Sequence, residues 1–478
     1  MLFHPPMDNP GFVGISPDVL DELGGLAGTE NVITDKAGVE TFSKDYYWYS
    51  PVLLSRLERY HASAAVKVCS LDVLKDVVAV AVANGLPVTL RGAATGNYGQ
   101  CIPLCGGVVI DLSGMDRVLG VTADGVITAE PGARLVTLEN AARAKGWELR
   151  CYPSTWMKAT VGGFIAGGTG GIGSVTWGTL RDQGTIKKLT LLTLEAPPRV
   201  LVLEEEEALK AFHVYGTNGI IVEAELRLAP ARRWDQVVIA GTSWAALRDF
   251  TDALAFDDSL PKRLLSAFED PIPSYFKPVR KFYPAGHHVC FLEVDEGSTA
   301  EVRRRAEAAG LLVPHVIPHA EPRRAPMLSD FTWNHTTLWA IKANPELTYL
   351  QCGFGDNFRE QIDLLKARYP TEFFQHSEYM RMGSGAQDRM ARGGAPLVRY
   401  TTEERLREIM AYCAEIGVGI ANPHSCYLED FHTNGDFGDE YALKADTDPH
   451  GLLNPGKLRH YPGTQLAPAG GWPEFISG

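Results

Sequence analysis

Nineteen consecutive residues, 160–178, read TVGGFIAGGTGGIGSVTWG and hold eight glycines, at 162, 163, 167, 168, 170, 171, 173 and 178. Glycine loses more conformational freedom on folding than any other residue, so this density is unfavourable unless the backbone must come close to something. A second stretch of small residues lies upstream. An apolar, β-branched run at 87–90 ends at Arg91-Gly92, Ala93 to Gly99 follow as AATGNYG, and a second apolar run occupies 108–112. Small side chains leave backbone N–H groups uncovered, and several of them curved around one point form a nest that suits a pyrophosphate. A tight turn between two strands explains either stretch alone. Two such stretches in one chain favour close approach to a single extended ligand.

The ligand class narrows by exclusion. Neither stretch is GxxxxGK[ST], so the phosphate loop with its lysine is absent from both. GTGGIG at 168–173 imitates the dinucleotide fingerprint, but no strand leads into it and no convincing acidic residue stands about 20 positions on, which disfavours a nicotinamide site.

The surrounding pattern supplies the frame. A strand at 65–70, a helix at 71–84 stopped by Gly85 and a strand at 87–90 make a β–α–β succession. A helix opens after Ser16-Pro17-Asp18. Strands at 118–121 and 126–129 flank Ala123-Asp124-Gly125, a helix spans 135–145, and strands follow at 186–194, 200–203 and 219–229. The acidic run at 204–207 reads as a solvated helix start. The aromatic cluster at 45–49, DYYWY, is read as packing, with contact to a cofactor or a partner subunit as the alternative. Beyond Pro230 the glycines thin out, and strands at 236–240 and 288–294 alternate with helices at 244–255 and 300–309. That change predicts a second, ferredoxin-like α+β unit. Residues 380–394 read as a long loop at an entrance, and Thr402 before Glu403 starts a helix through 417.

Several motifs, in this order and spacing, carry a resemblance: RGAATGNYGQ at 91–100, GVVIDL at 107–112, Pro131-Gly132, Pro153-Ser154-Thr155, ATVGG at 159–163, GTNGII at 216–221 and DPHGLLNPGK at 448–457. Together they resemble the FAD-binding domain of the vanillyl-alcohol oxidase and p-cresol methylhydroxylase superfamily. The resemblance implies an α+β protein with a two-subdomain FAD-binding domain and an inserted α+β cap. The expected division is an N-terminal arm at 1–15, the FAD-binding domain at 16–230, the cap at 231–435 and a return to the FAD domain at 436–478. It implies FAD contacts from Arg91, Gly92, Ala93, Ala94, Thr95, Gly96, Asn97, Tyr98 and Gln100. Further contacts are expected from Pro131, Gly132, Pro153, Ser154, Thr155, Thr160, Gly162, Gly163, Gly167, Gly170, Gly173, Ser174, Gly219, Ile220, Ile221, Asn454 and Lys457. Many members attach the flavin to a histidine where this chain has Thr95, so non-covalent FAD is expected.

In a flavoenzyme the cofactor supplies the hydride chemistry, and the protein places the substrate and takes up a hydroxyl proton. The expected reaction is oxidation of a hydroxyl-bearing small molecule, a 2-hydroxy acid or an alcohol, with oxygen or another electron acceptor closing the cycle. Two polar, aromatic clusters offer a base. One is TWNHTTLW at 332–339, with His335; the other is NPHSCYLED at 422–430, where strand alternation would send His424 to one side and Tyr427 to the other. Arg399 could grip a carboxylate through its planar fork. An NADPH-dependent flavin reductase of the enolpyruvyl type and a flavin-binding subunit of an electron-transfer assembly are the competing readings.

Bulk properties set outer bounds. At 478 residues two domains are expected. The formal net charge of −13 disfavours nucleic acid as a partner. Eight cysteines without a CxxC pair suit a reducing compartment and no metal site. The opening residues lack the basic-then-apolar order of a leader, and no apolar run reaches the ~18 residues of a span. The expectation is a cytoplasmic protein, with a homodimer as the base-rate assembly.

Overall fold

The computed structural model describes residues 12–320, 326–431, 436–464, 466–467 and 471–476. Most of the arm expected at 1–15 therefore lies outside the described residues.

Four strands build the first sheet, in the spatial order Val32–Ile33, Ala64–Lys67, Val108–Asp111, Val88–Arg91. The last three are parallel, with Ala64 and Val88 both facing Val108. The helix Leu71–Ala83 makes the crossover; the Ser70 hydroxyl caps it by accepting from the Val73 N–H at 3.3 Å. Its Leu74, Val77, Val78 and Ala81 pack with Val66, Val88, Val108 and Ile110 in one buried cluster. Because the strands run parallel and end together at Lys67, Arg91 and Asp111, the 91–107 segment leaves from their carboxyl edge, where ligands bind in open α/β sheets.

The second sheet is antiparallel, in the order Val118–Val121, Val126–Ala129, Ile220–Pro230, Ile186–Leu192, Val200–Glu204, with Trp147–Leu149 pairing the far end of Ile220–Pro230. Gly125, at φ +82°, makes the hairpin turn that a side chain would strain. The helix Leu135–Arg143 buries Leu135, Leu138 and Ala142 against this sheet.

Three residues after Ile220–Pro230 the chain enters an eight-stranded antiparallel sheet. Its first four strands are Trp234–Gly241, Lys262–Phe268, His288–Asp295 and Leu312–Ile317. With the helices Trp244–Ala255 and Thr299–Ala308 they form β–α–β–β–α–β in the spatial order 4-1-3-2, the ferredoxin-like arrangement. Both helices cover one face, through Leu247, Phe250, Val302 and Ala306. The other face meets Phe276, Phe331 and Tyr349. His376–Met382, Arg389–Gly394, Cys352–Phe354 and Gly419–Ile420 extend the sheet beyond Lys262–Phe268. A three-stranded sheet of Leu347–Tyr349, Leu397–Arg399 and Phe373–Phe374 lies beside it.

The chain's end returns to the first sheet. The Val88 N–H donates to Leu452 O at 2.8 Å and the Asn454 N–H to Val88 O at 2.7 Å. Asp448 holds this return in shape: it pairs with the buried Lys444 ammonium at 2.9 Å and accepts the Leu452 and Leu453 N–H groups.

Three local expectations change, and one cluster gains an element. Residues 160–178 are not one loop: Val161–Gly167 and Ser174–Trp177 are helical, the first capped by Thr160. Residues 380–394 are not a loop either, since they belong to a hairpin of His376–Met382 and Arg389–Gly394 with its tip at 383–388. Small and charged residues there hid a paired ladder, because the pairing partner supplies the order that local propensity lacks. Residues 334–343, read above only as a cluster of side chains, form a helix. Residues 422–427 turn and lead into the short helix Leu428–Phe431, because the Ser425 hydroxyl, which donates to Asp430 at 2.6 Å, folds the segment on itself.

Candidate functional site

A cavity of about 570 Å³ lies between the carboxyl edge of the first sheet, the 160–170 segment and the eight-stranded sheet. Cavities of this size are those that take small molecules and cofactors. Its floor includes Arg91 to Tyr98 and Gln100, and its far wall includes Pro131, Pro153, Ser154, Thr155, Thr160, Gly162, Gly163, Gly167 and Gly170. Gly219 and Ile221 also line it. The two glycine-bearing segments are bound to each other. A Cβ on Gly92 would lie 2.3 Å from Thr160 Oγ1, so glycine at 92 lets the segments meet. Gln100 reaches between them: its side-chain amide donates to Gly167 O, and a Cβ on Gly96 would collide with its Oε1 at 1.9 Å.

Other glycines serve the fold rather than the cavity. A Cβ on Gly132 would sit 2.3 Å from Leu112 O, and one on Gly173, at φ +102°, would sit 1.9 Å from Arg150 O. Neither residue lines the cavity, because each lets one backbone cross another. Ser174 is turned inward as well, its hydroxyl accepting from the Gly171 N–H at 2.9 Å. Ile220 belongs to the core around the first sheet. Asn454 and Lys457 stand behind the 91–100 segment. The Asn454 amide donates to Gln100 O at 2.9 Å and Tyr215 O at 2.6 Å, and the buried Lys457 ammonium donates to Gly99 O at 2.6 Å. They hold the cradle's carbonyls from the rear.

At one end the cavity wall is polar. The Asn97 amide donates to the Tyr349 hydroxyl at 2.6 Å, the Asn334 amide to Asn97 Oδ1 at 3.3 Å, and the Gln351 amide to the Tyr98 hydroxyl. Asp45 also lines the cavity, and burial pushes its carboxyl up to about 6 against the opposing pull of the Tyr47 N–H and Lys457. On the cap side Glu378 is buried at the wall. Its carboxylate accepts the Ser266 hydroxyl at 2.6 Å and the Trp333 N–H at 2.9 Å, and it meets His376 Nε2 at 2.8 Å.

None of the four residues predicted for catalysis lines the cavity. His335 lies one position past the lining Asn334 and turns away, its Nδ1 3.2 Å from Asp330 O. His424 is buried between Ser50 Oγ, at 2.8 Å, and Tyr349 O, at 3.0 Å. Burial lowers both imidazoles to about 4. The Tyr427 hydroxyl donates to Pro473 O under the Arg459 guanidinium. Arg399 projects from the three-stranded sheet, 4.0 Å from Glu346. The strand register assumed for 422–430 does not exist, and helical geometry at 334–343 points consecutive side chains about 100° apart.

Glu378, Arg181, His213 and Tyr215 line the cavity in their place. Sequence offered little sign of them. Glu378 sits in a stretch whose pairing was hidden, and His213 and Tyr215 rest on a segment where both adopt positive φ, +52° and +54°.

The cavity passes a test for a flavin dinucleotide. Small residues at 92–96 keep the floor open. Among the described residues, two buried donors in cavity-lining side chains, the Tyr215 hydroxyl and the Trp333 indole N–H, have no hydrogen-bond partner. Such groups are costly to bury unless a ligand satisfies them.

Comparison with known proteins agrees. Residues 62–194 match the FAD binding domain family. An uncharacterized FAD-linked oxidoreductase of Mycobacterium tuberculosis is 29% identical over 263 residues, 52% of this chain and 52% of the relative. A D-lactate dehydrogenase of Anaerostipes hadrus is 28% identical over 234 residues, 45% of each. The chain thus spans about half the length of these curated relatives. A solved alkyldihydroxyacetonephosphate synthase superposes with a TM-score of 0.70 at 12% identity, over 95% of this chain and 88% of that one, a likeness of fold. The fold and cradle are those of a flavin-dinucleotide-binding protein. Residues 62–194 carry an FAD-binding domain, and FAD is the cofactor that it takes.

Proposed function

We propose that this protein is an FAD-dependent oxidoreductase that oxidises a hydroxyl-bearing small molecule, a 2-hydroxy acid or an alcohol. The observation that supports this most directly is the continuity of one cavity from the glycine cradle to the wall of the cap sheet. The residues at 91–98, Gln100, Thr160, Gly162, Gly163 and Gly167 would hold FAD, with Tyr215 and Trp333 supplying donors. Bound there, FAD would supply the hydride-accepting chemistry. The chain's own residues must then orient the substrate and take the hydroxyl proton.

Glu378 is our assignment for that proton. It is a carboxylate at the cavity wall, and two donors, the Ser266 hydroxyl and the Trp333 backbone N–H, together with the His376 ring fix its orientation. His335 and His424 suit the role less well, since both are held in the neutral form by burial and bond away from the cavity. A D-lactate dehydrogenase among the relatives favours a hydroxy acid over a plain alcohol. We further propose that FAD is held non-covalently, because Thr95 offers no nucleophile strong enough to bond the ring.

An anaerobic screen tests both points. Purified protein should be yellow, release all of its flavin in acid, and lose its flavin absorbance on addition of a hydroxy acid or alcohol without a nicotinamide. Bleaching by NADPH alone would instead favour a flavin reductase.

A further inference from the structure

Three arginines line the cavity, Arg91, Arg181 and Arg392, and Arg181 is also exposed to solvent. Two are already committed. Arg91 donates to Phe42 O at 3.3 Å and Lys44 O at 2.8 Å and lies over the Phe42 ring. Arg392 is paired with Asp252 at 2.6 Å and lies between the rings of Phe256 and Phe358. Arg181 has no hydrogen bond, ion pair or ring contact among the described residues. The two cavity-lining carboxylates are also committed, Glu378 to Ser266, Trp333 and His376, and Asp45 to the Tyr47 N–H.

The backbone that carries Arg181 is held on both sides. Asp182 Oδ2 accepts the Thr179 N–H at 2.9 Å and the Thr179 hydroxyl at 2.7 Å, while its Oδ1 accepts the Gly383 N–H at 2.8 Å. Gln183, at φ +52°, donates twice to the tip: its N–H to Ser384 Oγ at 3.0 Å and its side-chain amide to Gly383 O at 2.9 Å. Gly178 lies so close beneath the hairpin that a Cβ would stand 2.6 Å from Arg381 O. A flexible side chain with a fixed root therefore stands where the glycine-bearing segment and the cap hairpin meet, with Met380 and Met382 of that hairpin also on the cavity wall.

We infer that Arg181 is the specificity-determining residue that binds the substrate's carboxylate, and that the Asp182 and Gln183 contacts to the hairpin tip fix its root. This rests on the reading of the cavity as a flavin-dependent hydroxyl-oxidising site. Its chemistry is that of a guanidinium fork and two anionic oxygens. A phosphate of the cofactor presents the same chemistry, so the experiment separates the two sources.

The test uses the FAD-loaded protein and oxalate, a dicarboxylate that cannot be oxidised at a hydroxyl carbon, with binding read from the flavin difference spectrum. Arg181→Gln should weaken oxalate binding about 10- to 100-fold, the range expected for a lost charge-assisted contact. FAD content after gel filtration should be unchanged. Arg181→Lys, which keeps the charge and loses the fork, should fall between the two. For a hydroxy acid, KM should rise far more than kcat falls.

Unchanged oxalate affinity in Arg181→Gln overturns the inference. Loss of FAD in that variant also overturns it, since the arginine would then serve a cofactor phosphate. A wild-type flavin bleached by neutral alcohols but blind to carboxylates overturns it and leaves hydroxyl oxidation standing. A wild-type flavin that no hydroxyl compound bleaches removes the underlying reading itself.

Discussion

At the scale of single residues, the site depends on which polar groups burial leaves committed. Glu378→Gln keeps one oxygen to accept the Trp333 backbone N–H and presents an NH2 group that the Ser266 hydroxyl can accept, but it removes the basic oxygen, so fold and FAD content should persist. The rate of flavin reduction by substrate should fall about 10²- to 10³-fold, the usual contribution of a positioned base. A rate within threefold of wild type by stopped-flow absorbance would place the proton elsewhere. His424 makes a different prediction. Its folded value near 4 lies below the ordinary 6.5, so the unfolded chain binds the proton first as pH falls. The stability conferred by keeping it neutral is whole above 6.5 and is lost between 6.5 and 4, up to about 3 kcal/mol for one buried imidazole. His424→Gln should therefore show a shallower decline of Tm than wild type across that window; parallel declines would contradict the assignment. His335 and His424 drew notice in the sequence because imidazoles beside aromatics suit catalysis. The same composition suits a satisfied core, and only the partner atoms separate the two.

At the scale of elements, the 160–178 stretch divides its glycines between two tasks. Gly173→Ala would force a Cβ to within 1.9 Å of Arg150 O at a φ of +102°, and should destabilise the fold by about 3 kcal/mol or more. Gly163 lines the cavity, and a Cβ there would meet only Thr160 Oγ1, at 3.0 Å. Gly163→Ala should leave the melting temperature of the flavin-free protein within a few degrees of wild type while weakening FAD binding. Paired thermal melts and FAD titrations check the contrast, and equal effects on both would refute it. Sequence density alone could not assign these tasks, because a missing side chain looks the same whether a ligand or another backbone fills its place. The β–α–β unit around Leu71–Ala83 was legible, as its periodicity and its Ser70 and Gly85 boundaries are local. The 376–394 hairpin was not, since its order comes from neighbours across the sheet.

At the scale of the molecule, the second subdomain and the cap are joined by buried charge. Arg263, on the cap strand Lys262–Phe268, pairs with Glu293 at 2.6 Å and approaches Glu148 at 3.5 Å. Glu148 in turn pairs with Arg143 and accepts the Trp234 indole N–H at 2.9 Å. Arg263→Met would leave Glu139, Glu148 and Glu293 buried with Arg143 as the remaining cation of the cluster. Removing one partner of a buried pair costs about 3–5 kcal/mol. Flavin release and loss of secondary structure should both move to lower temperature, followed by flavin fluorescence and circular dichroism in one scan. An unchanged melt would show that apolar packing alone joins the two parts.

The sequence by itself determined the two glycine-bearing segments, the parallel unit that carries the cradle, and the change of architecture after Pro230, while the cofactor class followed from the resemblance its motifs carry. Those features rest on local backbone demands and on hydrophobic period, which neighbouring residues write directly. The tertiary structure alone decided which side chains meet the cavity. Residues 45, 97, 181, 215, 334 and 378 come together from distant segments, and whether a histidine or an arginine is free to act depends on what lies across from it in space.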